Sequence, residues 1–174
     1  MNTIIKNIGL SIISIRRFNN EQVKKFAAGV KNKKILELGS GKKKNDEYYY
    51  STRRFFDKSN NFTQSDIKKE YGHKLVDVTT MRFNKEFDII LCLNVLEHVI
   101  NTKKAVDNIY KALKKGGVAL FVIPFAFPLH DEPGDYYRFT KYGLKEILKK
   151  FKDVKIKEYG FRLMPLAYYA EARK

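Results

Sequence analysis

The chain is poor in cysteine, in long apolar runs and in acids, and each shortage excludes something. A single cysteine, Cys92, stands among 174 residues. That rules out a disulfide framework and a cysteine zinc site. Cys92 falls inside the apolar run 87–93, where it reads as a small buried hydrophobe suited to a reducing, cytoplasmic setting. No stretch reaches the roughly 18 apolar residues of a membrane span. The sequence around Ile8-Gly9-Leu10-Ser11-Ile12-Ile13-Ser14-Ile15 is short, and Arg16-Arg17 follows it with no small-residue cleavage site, unlike a signal peptide. Ile4, Ile8, Ile12 and Ile15 share one helical face. Residues 1–30 are therefore expected to form a lid or docking arm, with peripheral membrane contact as the alternative. Neither a Walker loop nor metal-ligand spacing is present, so no metal is expected.

Acids are outnumbered, 19 against 35 Lys and Arg, for a formal charge of +16. Such a balance suits nucleic acid or another anionic partner. Arginine, the usual base reader, accounts for only eight of those cations. The chain is also rich in Lys, Asn, Ile, Phe and Tyr, all residues with A/T-rich codons, which gives a compositional account of the charge. A nucleic-acid partner is thus open but not favoured, and an anionic small acceptor fits equally.

What remains is ample for one globular domain, since 44% of the residues are hydrophobic. Asn20 is placed to cap a helix through residue 28, with Gly29 as its stop. Strands are predicted at 34–38, 61–65, 74–78, 87–93 and 118–123. Helices are predicted at 48–56, from Asn101-Thr102 to Gly116-Gly117, and after Thr140, with Leu144, Ile147, Leu148 and Phe151 on one face. Segments 154–159 and 166–172 have no helix between them and predict an antiparallel hairpin at the sheet edge. The sum is a three-layer α/β sandwich with a seven-stranded, mostly parallel sheet. Residues 31–174 form its main body.

In such a sheet, ligands bind beyond the carboxyl ends of the strands. Glu37-Leu38-Gly39-Ser40-Gly41 lies there, as do Asp66, Asp77-Val78 and Asn94-Val95-Leu96-Glu97-His98. A dinucleotide fingerprint needs a third glycine where Lys44 stands. Glu37 would also repel a pyrophosphate, so a cationic or zwitterionic ligand fits better.

These segments resemble those of class I S-adenosylmethionine-dependent methyltransferases, of the type 11-like kind. Ile35-Leu36-Glu37-Leu38-Gly39-Ser40-Gly41 matches the family's first motif, and Phe87 to Val99 its fourth-strand motif. Leu113-Lys114-Lys115-Gly116-Gly117 is similar to the turn before strand five. The resemblance implies a Rossmann-like fold and a cofactor site at Glu37, Leu38, Gly39, Ser40, Gly41, Asp66, Ile67, Asp77, Val78, Asn94 and Val95. Asp66 would accept from both ribose hydroxyls and Asp77 from the adenine amino group, with Ile67 and Val78 as apolar walls. The run Lys42-Lys43-Lys44-Asn45-Asp46 departs from the family pattern. Its lysines should face solvent or an anionic substrate.

The long connection from Pro124 to Thr140 overhangs this edge, and connections of that length are usually functional. His130 is the candidate general base, because an imidazole titrates near neutral pH. His98, Asp135, Tyr136 and Arg138 are candidate substrate contacts, with an Asp135–Arg138 ion pair that fixes the loop as the plainer role. The expected reaction moves a methyl group to a small-molecule or glycan acceptor. The alternatives are a non-catalytic S-adenosylmethionine-binding partner protein and a basic nucleic-acid-binding module of RNA methyltransferase type.

Overall fold

Uninterrupted apolar residues at 87–93 and 118–123 demand a sheet covered on both faces, and the computed structural model shows one. It describes residues 2–42 and 50–174. Helix α1 (Asn2–Ala27) leads into β1 (Lys34–Leu38), β2 (Asn61–Asp66), β3 (Lys74–Leu75) and β4 (Phe87–Leu93). Then come α2 (Thr102–Ala112), β5 (Leu113–Pro124), α3 (Lys141–Ile147), β6 (Lys152–Phe161) and β7 (Met164–Arg173). The strand order is β3-β2-β1-β4-β5-β7-β6. Strands β1 to β5 pair in parallel, whereas β7 runs antiparallel to β5 and to the edge strand β6. The strand order reverses between β1 and β4, so the switch point lies at their carboxyl ends.

Alternation along β1 sorts its side chains by face. Leu36 and Leu38 join Ile90, Cys92, Phe121, Ala105, Ile109, Leu144 and Leu148 in one apolar cluster, beneath α2 and α3. Ile35 joins Ile89, Leu91, Leu120, Val122 and Tyr169 in the other, covered by Val23 and Ala27 of α1. Among the described residues, no helix is long and apolar enough to cross a membrane.

Four local expectations need correction. Asn20 lies inside α1 rather than capping it. Buried Ile15, Val23 and Ala27 keep one helical face against the sheet across that point, and packing outweighs a cap preference. The helix expected at 48–56 begins outside the described residues. From Tyr50 on only the 3-10 turn Arg53–Phe55 is helical, because Ser51 and Thr52 give their donors to a carboxylate of β1. Strand β3 stops at Leu75, since Asp77 turns the chain by accepting from the amides of Thr80 and Met81 at 3.2 and 2.9 Å. Helix α2 ends at Ala112, not at the glycine pair, because Leu113 already pairs with Phe87 in the sheet. Gly116, at φ 77°, instead serves a bulge early in β5. The Thr140 cap and the edge hairpin form as expected, with Thr140 Oγ1 accepting from the Gly143 amide at 3.1 Å.

Candidate active site

The chain leaves β1 through two left-handed glycines, Gly39 at φ 69° and Gly41 at φ 70°. A Cβ on Gly39 would sit 2.6 Å from Val95 Cγ2, and one on Gly41 would meet the Tyr50 ring at 2.8 Å. Only glycine fits both the dihedrals and the space. Beneath the turn, the buried Glu37 carboxylate is saturated. Its Oε1 accepts from the Thr52 amide and hydroxyl, both at 2.6 Å. Its Oε2 accepts from the hydroxyls of Ser51 at 2.5 Å and Ser40 at 2.8 Å. Glu37 therefore anchors the loop, and its charge is met by protein donors.

Asp66 closes the turn from the other side. Its Oδ2 accepts from the Gly41 amide at 2.9 Å and its Oδ1 from the Lys68 amide at 3.0 Å. An ionised carboxylate has about four acceptor sites, so each oxygen keeps capacity for a further hydroxyl. His73 donates from Nε2 to the Gly41 carbonyl at 2.9 Å. Ser65 Oγ donates to the Glu37 carbonyl at 2.7 Å and stitches β2 to β1. Ile67 is exposed and Val78 buried. Asp77 Oδ1 is taken by the Thr79 amide and hydroxyl at 2.7 Å each. Asn94 is exposed at φ 52°, its amide held by the Val122 carbonyl at 2.9 Å. The structure thus brings Leu38, Gly39, Ser40, Gly41, Asp66 and Val95 together at the switch point. Asp77 joins them only through its neighbour Val76, whose amide bonds the Asp66 carbonyl at 3.0 Å.

The acceptor-side candidates gather around the short turn Leu96–His98 and the loop after β5. The Glu97 carbonyl accepts from the amides of Tyr136 and Tyr137, at 2.9 and 3.2 Å, and pins the loop to the turn. Arg138 grips Asp135 with two parallel bonds of 2.6 Å. The His130 amide adds a third at 3.0 Å. The Arg138 guanidinium holds the Asp135 carboxyl well below the usual carboxylate range. The predicted ion pair is therefore present and orders the loop. His130 Nδ1 lies 3.1 Å from Asp135 Oδ2 and 3.2 Å from the Pro128 carbonyl. His98 donates from Nδ1 to the Gly134 carbonyl at 2.8 Å, and its ring meets that of His130 edge-on with centroids 4.8 Å apart. Tyr136 is exposed, and the Tyr137 hydroxyl donates to the Ile100 carbonyl at 3.0 Å.

Glu97 is the outlier. It is fully buried, yet neither carboxylate oxygen has a hydrogen-bond partner. Burial pushes its pKa up to about 8; its own backbone amide and Arg138 oppose this, while Asp135 and Asp131 reinforce it. Sequence reasoning placed Glu97 at the ligand edge after β4 but gave it no role in the site, and it passed over Ser51, Thr52, Ser65 and His73. Only Glu97 left a trace, as an acid in a segment bounded by apolar residues.

A central parallel sheet that reverses at β1/β4, a glycine turn at that point and an acid ending β2 define the Rossmann-like fold of class I methyltransferases. Comparison agrees: the chain belongs to the methyltransferase-domain family, whose model matches residues 13–155. Two ubiquinone biosynthesis O-methyltransferases, from Rickettsia bellii strains OSU 85-389 and RML369-C, are each 31% identical over 58 residues. That stretch covers 33% of this chain and only 23% of theirs. Two solved structures share the fold at low identity. A SAM-dependent methyltransferase from Archaeoglobus fulgidus is 15% identical, over 91% of this chain and 94% of that one, with a TM-score of 0.67. Phosphoethanolamine N-methyltransferase 2 from Haemonchus contortus, solved with S-adenosyl-L-methionine, is 15% identical over 90% of this chain and 52% of that one, with a TM-score of 0.69.

Proposed function

We propose that this protein binds S-adenosylmethionine and transfers its methyl group to a small-molecule or glycan acceptor, releasing S-adenosylhomocysteine. The observation that carries the reading is Asp66. It ends β2 at the switch point, ties itself to the glycine turn through Gly41, and keeps acceptor capacity on both oxygens. That suits the paired hydroxyls of a ribose. Ile67 and Val78 supply apolar walls for the adenine, and Gly39 lets backbone approach the methionine end. Glu37 holds the turn and leaves ligand contact to the backbone above it.

S-adenosylmethionine brings an activated methyl on a sulfonium, so the chain's own residues have mainly to align the acceptor. Alignment is worth roughly 7–11 kcal/mol of a barrier. The loop that carries Asp135, Tyr136 and Arg138 overhangs the site and forms the acceptor wall. A hydroxyl acceptor must shed its proton as it attacks, and His98 and His130 are the groups at hand for that. The names of the Rickettsia relatives, which refer to oxygen methylation, favour a hydroxyl, and the positive charge favours an anionic acceptor. The lone buried thiol suits a cytoplasmic setting.

Calorimetric titration with S-adenosylhomocysteine tests the reading. The wild type should bind one equivalent, and Asp66→Ala should bind at least about tenfold more weakly, as expected for lost charge-assisted bonds. No binding by the wild type overturns the cofactor reading. Equal affinities overturn the role of Asp66.

A further inference from the structure

Glu97, His98 and His130 each present a donor atom within 4.8 Å of the other two. They come from two segments, the turn after β4 and the loop after β5. Backbone bonds from Tyr136 and Tyr137 to the Glu97 carbonyl hold those segments together. The convergence is therefore built into the main chain.

The Glu97 carboxylate supplies the second observation. It is wholly buried, it lies 3.9 Å from His98 Nε2, and neither oxygen has a hydrogen-bond partner. Buried polar groups are nearly always satisfied, and an exception calls for a functional explanation, such as a bound ion. Both histidines are also oriented in the way ligand histidines are. His98 Nδ1 is bound to the Gly134 carbonyl, and His130 Nδ1 to the Asp135 carboxylate and the Pro128 carbonyl. Such contacts engage Nδ1 and leave Nε2 as the nitrogen to bind. Asp135 is itself clamped by Arg138.

We propose that Glu97, His98 and His130 form a site for one divalent first-row transition cation of the zinc class. Two imidazoles and one carboxylate suit such a cation, whereas magnesium and calcium prefer all-oxygen sets. Bonds of about 2.0–2.2 Å put neighbouring ligands about 3.3 Å apart. Side-chain rotations at His98, Glu97 and His130 supply the remaining closure. Three protein ligands leave a coordination position open, the arrangement of a catalytic rather than a structural site.

The cation's role, though not the site, rests on the methyl-transfer reading. Val95, of the same segment, packs on Gly39, so the site borders the glycine turn. An acceptor hydroxyl in the open position becomes more acidic, as metal-bound water does. With both imidazoles on the cation neither is free to act as a base, so the metal replaces them in that role. The acceptor proton passes to water, its oxygen forms the new bond to the sulfonium methyl, and the carbon–sulfur bond breaks to leave a neutral thioether.

The test uses the full chain, stripped with a chelator. Zinc is titrated in competition with a fluorescent chelator, and cobalt(II) is followed by visible absorption. One equivalent per chain is expected, with a cobalt spectrum of low coordination number. Glu97→Gln and His130→Ala should each weaken zinc at least tenfold while circular dichroism shows them folded. Should His130→Ala unfold, Glu97→Gln, which is nearly isosteric, still decides. A folded wild type without stoichiometric zinc overturns the site, as does equal zinc affinity in wild type and Glu97→Gln. Zinc bound by a chain that ignores S-adenosylhomocysteine upholds the site and overturns the methyl-transfer reading. The reverse pattern overturns the site alone.

Discussion

Glu37 and Glu97 are both buried carboxylates near the carboxyl edge of a central parallel strand, one in β1 and the other just past β4. Glu37 receives four donors from Ser40, Ser51 and Thr52. Glu97 receives none. The first is finished by the fold itself, and its work is to hold a glycine turn in shape. The second has been buried at a cost and left open to whatever occupies the space between it and two histidines. The glycine turn is held by side-chain hydrogen bonds to Glu37, whereas Glu97 ties its segment to the loop after β5 through its main-chain carbonyl and not through its carboxylate.

The contrast can be broken most forcefully at Glu37. Glu37→Ala strands three hydroxyls and an amide in a buried site, where each unsatisfied group costs about 1–3 kcal/mol. A loss of about 3–5 kcal/mol in urea unfolding at pH 7 is expected, and a loss below 1 kcal/mol would mean the network is incidental.

Glu97→Gln should act in the opposite direction. In the metal-free wild type, Glu97 titrates near 8 when folded and near 4.5 when unfolded. Between those values only the folded chain holds the proton, so stability falls as pH rises from about 4.5 to 8, then levels off. Arg138 favours the charge of the carboxylate, Asp131 and Asp135 oppose it, and His98 Nε2 lies 3.9 Å away. Glutamine removes that slope, and the variant should be more stable than wild type at pH 8 by on the order of 4 kcal/mol. Parallel stability curves across pH 5 to 8 would contradict the account.

Smaller effects sharpen the edges. Gly39→Ala forces a side chain into a left-handed position against Val95 and should cost about 1–2 kcal/mol. A double-mutant cycle with Val95→Ala should recover part of that cost, which tests the contact itself. Arg138→Lys replaces a two-bond grip on Asp135 with a point charge. About 1 kcal/mol of stability should be lost, with faster hydrogen exchange at the amides of His130, Tyr136 and Tyr137.

The same contrast explains what could be read from the sequence. Apolar runs and turn residues are local signals, so β1, β4, β5, the glycine turn and the edge hairpin were legible. Asp135 and Arg138 were legible too, three residues apart in one loop. The partners of Glu37 were not: Ser51 and Thr52 lie 14 and 15 residues away and follow no period. Their capture by Glu37 is also why, from Tyr50 on, only a 3-10 turn forms where a helix was expected. Asn20 misled because a good cap residue yields to a helical face that packs across it. Glu97, His98 and His130 showed no ligand spacing, because the backbone pairing that unites them is tertiary.

The most direct test of the central claim is a crystal structure grown with S-adenosylhomocysteine. The account predicts the ribose hydroxyls on Asp66, the adenine between Ile67 and Val78, and the sulfur over the glycine turn facing His98 and His130. A ligand bound elsewhere, or density absent at saturating concentration, would contradict it.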